Sequence, residues 1–171
     1  MLHELGFCIL YSVLVTFFGH AVHWMLHQKW SGRLFKSHMI HHYKLYPIKD
    51  FESTEYRSAG KHSTTKTFVV FSIPVAILPF IVSYFGLISI TVAILSFAIG
   101  IIIGLFNDWA HDSYHVIGHP LRKLPMWKYW RDMHYQHHAD TTKNYGIWYF
   151  FWDRLFKTYK ILEEKSKKIL F

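Results

Sequence analysis

The sequence predicts an all-α integral membrane protein of about three transmembrane helices, capped by cytoplasmic helices that hold a histidine-rich dimetal site. Three observations carry that reading. The 171-residue chain is 51% hydrophobic and 19% aromatic yet bears a formal net charge of +8, so charged and apolar residues must be segregated. They are: no charged residue occurs from Thr67 to Asn107, enough for two spans of about 20 residues each. Finally, the 14 histidines are grouped, and the groups repeat the same spacings.

Taken in chain order, the apolar run beginning at Leu5 continues past Gly19 and predicts a first span over 5–27. No basic residue precedes it, which favours a retained membrane helix over a cleaved signal peptide. Trp30-Ser31-Gly32 breaks that helix, and Arg33 to Tyr46 reads as a short helix stopped by Pro47. Residues 48–66 are polar and mixed in charge, which predicts a loop, a candidate lid, with His62 solvated in it. Spans follow over 67–84 and 87–106, joined at Ser83-Tyr84-Phe85-Gly86, with Pro74 and Pro79 predicting a kink in the first of them. The cytoplasmic helix over 107–116 is expected to extend the third span, and a further helix is expected over 126–139, opened by Pro125 and separated from it by a turn at Gly118-His119-Pro120. The aromatic stretch from Ile147 to Tyr159 is too short and too charged to span. It suits a fourth, interfacial or re-entrant segment, or a wall of an acyl-chain tunnel. The tail from Glu163 reads as a solvated helix end. The whole, 1–171, is one domain.

All 19 Lys and Arg lie between Lys29 and Lys66 or from Arg122 onward. The positive-inside rule makes both stretches cytoplasmic and sends the N-terminus and the hairpin tip to the opposite side, in a bacterial inner membrane or an endoplasmic reticulum membrane. Topology and anionic headgroups account for the positive charge better than nucleic-acid binding does.

The histidines carry the chemistry. His38, His41, His42 and His134, His137, His138 are both H-x-x-H-H, while His23/His27 and His111/His115 are H-x-x-x-H. On a helix, positions i, i+3 and i+4 fall within an arc of about 100°, so each set is expected to project toward one point. Ten imidazoles exceed the needs of one metal and suit two adjacent metals. Cys8 is the only cysteine and H-E-x-x-H is absent, which removes thiolate zinc sites, disulfide frameworks and the metalloprotease signature. Imidazole accepts zinc, copper, iron or nickel. Two irons with open positions for O2 would supply an oxidant able to attack an unactivated C–H bond, and the membrane setting makes the substrate a lipid. His20 and His119 are further candidate ligands, against roles as a boundary polar residue and a turn residue. Asp108, one turn before His111, and Asn144 are candidates for the shell around the ligands. A metal-transport or metal-sensing protein is the alternative of another class. It would want polar ligands in mid-membrane, and Thr67 to Asn107 contains no His, Asp or Glu.

The order of these motifs, followed by Asn144-Tyr145-Gly146 and Trp152-Asp153-Arg154-Leu155-Phe156, resembles the fatty acid hydroxylase/sterol desaturase superfamily from about His20 to Tyr159. The resemblance implies a membrane non-haem di-iron oxygenase that hydroxylates or desaturates a fatty-acyl chain, sterol or related lipid. His23, His27, His38, His41, His42, His111, His115, His134, His137 and His138 match the family's ligand positions. With no cytochrome b5-like segment in the chain, a separate donor of ferredoxin or cytochrome b5 type is expected. Carotenoid ring hydroxylases of the same superfamily are the nearer alternative, although their paired histidines are usually spaced more widely than the pairs here.

Overall fold

The computed structural model describes residues 2–58 and 66–161, which form two compact units. His62 with the rest of 59–65 in the expected lid loop, and the whole of the expected solvated tail from Glu163, lie outside the described residues.

The first unit comprises, among the described residues, 2–22 and 66–109 and is built from α1 (Leu2–Leu26), α3 (Thr67–Tyr84) and α4 (Ile90–His115), the last turns of α1 and α4 belonging to the second unit. All three helices are long and apolar enough to cross a membrane. Leu5, Ile9, Leu10, Val70, Ile73, Ile77, Ile94 and Ile102 are exposed on them, the arrangement expected of side chains that meet lipid rather than water. Small residues bring the helices close. A Cβ at Gly104 would lie 2.6 Å from Ser72 Oγ and 2.9 Å from Val69 Cα, one at Gly100 would lie 3.2 Å from Ala76 Cβ, and one at Gly19 would lie 2.9 Å from Asn107 Nδ2. The Tyr11 hydroxyl donates to the Val75 carbonyl across α1 and α3. The α-helix runs on through Pro74 and Pro79. The hairpin tip falls slightly later than the sequence predicts. Gly86, with φ +71°, turns the chain, and Ser89 N donates to Glu4 Oε1 before α4 begins.

The second unit comprises, among the described residues, 23–58 and 110–161. Its elements are α2 (Arg33–Ile40), α5 (Trp127–Ala139), the one-turn helix α6 (Phe151–Leu155), and the last turns of α1 and α4. The helix expected over 33–46 changes character halfway. After Ile40 it widens to a π-helix over His41–Leu45, closed by Tyr46 N donating to the His41 carbonyl. Pro125 precedes α5 by two residues instead of opening it. The early part of the expected lid loop is folded into this unit. Phe51 is buried, Ser53 pairs with Val116 in an isolated parallel bridge, and Arg57 forms a bidentate pair with Asp50.

Candidate metal centre

All ten expected ligands lie in the second unit, and nine of them form two groups. His23, His27, His38, His42 and His137 make the first; His41, His115, His134 and His138 make the second. Within each group one nitrogen per residue lies within 4.8 Å of every other. The expectation that each H-x-x-H-H set points to one place is therefore corrected: each set divides. His38 and His42 face the first group while His41 faces the second; His134 and His138 face the second while His137 faces the first. Residues i and i+4 share a helical row, whereas i+3 sits on the other flank of that row, so one turn of helix reaches two neighbouring points. At the first set the division coincides with the start of the π-turn at His41, a distortion common at functional sites.

The structure also fixes which ring nitrogen faces inward. His23 Nδ1 lies 2.7 Å from the Tyr145 carbonyl, His137 Nδ1 2.6 Å from that of Lys143, His115 Nδ1 2.9 Å from that of Phe51, and His138 Nδ1 2.9 Å from that of Tyr46. A carbonyl only accepts, so each of these Nδ1 atoms carries the proton and each Nε2 is left as a bare lone pair. Nε2 atoms meet in the groups: His27 and His38 at 2.9 Å, His38 and His42 at 3.1 Å, His115 and His134 at 3.1 Å. Two nitrogens each about 2.1 Å from one metal and at right angles are about 3.0 Å apart, so these spacings suit adjacent corners of a coordination shell. The Nε2 atoms of His41, His137 and His138 are buried and have no hydrogen-bond partner among the described residues. An unsatisfied buried acceptor costs about 1–3 kcal/mol, which a bound cation would offset. The residues present thus fit a pair of metal ions.

Burial governs the electrostatics. It holds the His27 imidazole down at about pKa 2, with His23 adding to the effect. His38, His41, His42, His134, His137 and His138 are likewise held well below the ordinary histidine range, first by burial and then by neighbouring imidazoles. Neutral imidazole is the form that binds metal.

The remaining expected residues fall elsewhere. The His111 ring stands 4.7 Å from that of His134 and 4.8 Å from that of His41, beside the second group but outside the nine. His20 is buried on α1 and belongs to neither group. His119 uses Nδ1 to accept from Leu121 N at the start of a 3-10 turn. Asp108 accepts from Phe68 N and Val69 N, both at 2.9 Å, and so caps the start of α3. Asn144 fastens a turn by donating to the Met133 and Lys160 carbonyls and accepting from Lys160 N. Its φ of +54° is a conformation that asparagine tolerates. Backbone carbonyls, which no side-chain motif announces, orient the imidazoles where the sequence had suggested carboxylates. Pro47 after the first triple set and Asn144-Tyr145-Gly146 after the second were the available signals, since both force turns next to ligands.

The fatty acid hydroxylase family model matches residues 8–158. The chain belongs to that family. Comparison with curated proteins and with solved structures gives no significant match. The family match covers all ten candidate ligands together with the turn and aromatic segment that follow them, and it agrees with a lipid-directed oxidoreductase carrying a histidine-rich metal site. A polar cleft of about 500 Å³ lined by Tyr43, Gln136, His138, Asp140, Thr141 and Lys160 adjoins the second group through His138.

Proposed function

We propose that the two groups hold two iron ions and that the chain is an O2-dependent hydroxylase or desaturase of a membrane lipid, a fatty-acyl chain or a sterol. The division of nine histidines, seven of them buried, into two groups that share both H-x-x-H-H sets supports this reading most strongly, because it suits a pair of neighbouring metals. Family membership supports the lipid substrate. Bound iron would supply the activation of O2 needed to attack an unactivated C–H bond.

The chain's own part is to hold and shield. Carbonyls of Tyr46, Phe51, Lys143 and Tyr145 lock four imidazoles in the tautomer that offers Nε2. Burial keeps the ligands neutral and water scarce, which limits proton leakage and side reactions. The cleft at His138 is too polar to welcome an alkyl chain, and we assign it to the side from which a ferredoxin- or cytochrome b5-type donor delivers electrons. The positive-inside distribution of Lys and Arg makes that side cytoplasmic and puts the N-terminus across the membrane.

The test compares the lipids of cells expressing the chain with those expressing His41→Ala, by mass spectrometry. A lipid differing by one oxygen or by two hydrogens is expected only with the parent chain. The same product at the same yield from His41→Ala would refute the assignment.

A further inference from the structure

The carbonyls that orient the ligands come from two separate stretches of backbone, one for each group. His23 and His137, both of the first group, donate to Tyr145 and Lys143. His115 and His138, both of the second, donate to Phe51 and Tyr46. Each stretch has its own fastening.

The stretch 143–146 is held by Asp153. This carboxylate is fully buried, an arrangement that costs several kcal/mol unless hydrogen bonds compensate it. It accepts from Tyr145 N at 2.7 Å, Gly146 N at 2.8 Å and the Thr158 hydroxyl at 2.7 Å. Gly146 is what lets it approach: a Cβ there would lie 2.8 Å from Asp153 Oδ2. Asn144 ties the same turn to α5 through the Met133 carbonyl and to Lys160 beyond α6. The stretch 46–51 is held by different groups. Arg57 donates to the Leu45 carbonyl at 2.6 Å, pairs with Asp50, and donates its backbone N–H to the Tyr46 hydroxyl. Glu52, next to Phe51, pairs with Arg122 and Arg131, each at 3.3 Å.

We propose that Asp153 is a positioning residue for the first group alone, and that Glu52 and Arg57 serve the second. The inference rests on reading the two groups as metal sites. Asp153 acts through the Tyr145–Gly146 peptide, whose N–H it binds and whose carbonyl fixes His23, through the Tyr145 N–H, and so through the adjoining Lys143 carbonyl, which fixes His137. A change at Asp153 should let those two rings rotate and spoil one metal while leaving the other in place.

The experiment titrates ferrous ion, without oxygen, into detergent-purified apo chain and resolves the two binding steps. Loss of an outer partner of a histidine ligand typically weakens metal binding by about 10–100-fold. Asp153→Asn should weaken one step by that factor and leave the other unchanged; Glu52→Gln should weaken the complementary step. The groups are told apart by combination. In a His134→Ala background, where the first group is intact, Asp153→Asn should still weaken binding; in a His23→Ala/His137→Ala background, which removes both imidazoles that Asp153 holds through the backbone, it should not. If Asp153→Asn does not fold, Thr158→Val removes the hydroxyl bond to this carboxylate and should show the same selectivity with smaller size. Two unchanged affinities, or two that fall together, in folded protein would overturn the inference while leaving the metal reading intact. A parent chain that binds no ferrous ion would overturn both.

Discussion

Asp108 separates what the helix spacing suggests from what the fold does. Both its oxygens accept from the second and third residues of α3, whose own preceding residue, Lys66, supplies no side-chain cap. These are two of the four N–H groups that every helix start leaves unpaired. Hydrogen bonds to a charged acceptor contribute about 1.5–3 kcal/mol each, which bounds the pair between about 3 and 6 kcal/mol. Caps measured at exposed helix ends contribute about 0.5–2 kcal/mol, so partial replacement by water or headgroups favours the lower bound. Asp108→Ala is therefore expected to cost about 3 kcal/mol, and Asp108→Asn, which keeps one acceptor, about half as much. For a chain of this size that corresponds to a fall in Tm of about 6–12 °C for the alanine variant. Thermal unfolding in detergent followed by circular dichroism measures it, and metal analysis of the folded fraction accompanies it. The parent metal content should persist below the transition. An unchanged Tm with metal lost would refute the capping role and return Asp108 to the surroundings of the metals.

Three further outcomes are expected. Gly104→Ala forces α3 and α4 apart by about half an ångström at Val69 and Ser72 and should destabilise by about 1–2 kcal/mol net. Gly6→Ala, which meets nothing within 4 Å, should stabilise by about 0.5–1 kcal/mol through helix propensity, and equal signs in the two melting curves would contradict the packing. Seven ligands outside the spans (His27, His38, His41, His42, His134, His137 and His138) are held neutral by burial, so the folded apo chain binds fewer protons than the unfolded one once the pH drops below about 6.5. Stability is thus fully present above that pH and lost progressively below it, and an apo Tm that stays flat down to pH 5 would contradict the burial. The exposed ladder Tyr149, Phe151, Leu155 and Phe156, flanked by Arg154 and Lys157, should sit at the headgroup level. In a Cys8→Ser background, a nitroxide on Leu155→Cys in liposomes should be relaxed by lipid-soluble oxygen more than by a water-soluble nickel complex, the reverse indicating a wet surface.

The long helices were legible because an uncharged run and a spacing of histidines survive any detail of packing. The ends of α1, α3 and α4 came within a few residues for the same reason, and the third span runs on through His111 and His115 as one continuous helix, as its extension over 107–116 predicts. That nine of the ten histidines gather in space was legible too, but their apportionment was not. It depends on which flank of a row each imidazole occupies, and at His41 on a π-turn that no propensity announces. The surroundings of the ligands were hardest to read. Spacing on a helix suggests carboxylate partners such as Asp108, whereas the structure uses carbonyls from turns at Tyr46 and Tyr145, which are distant in sequence from the rings they hold.

The central claim is a pair of metals, and metal content per chain tests it most directly. Protein purified in detergent from iron-replete cells should carry about two irons per chain by elemental analysis, falling to about one in a His23→Ala or His134→Ala variant. A folded, monodisperse chain that retains no metal and takes up none from ferrous solution would contradict the account.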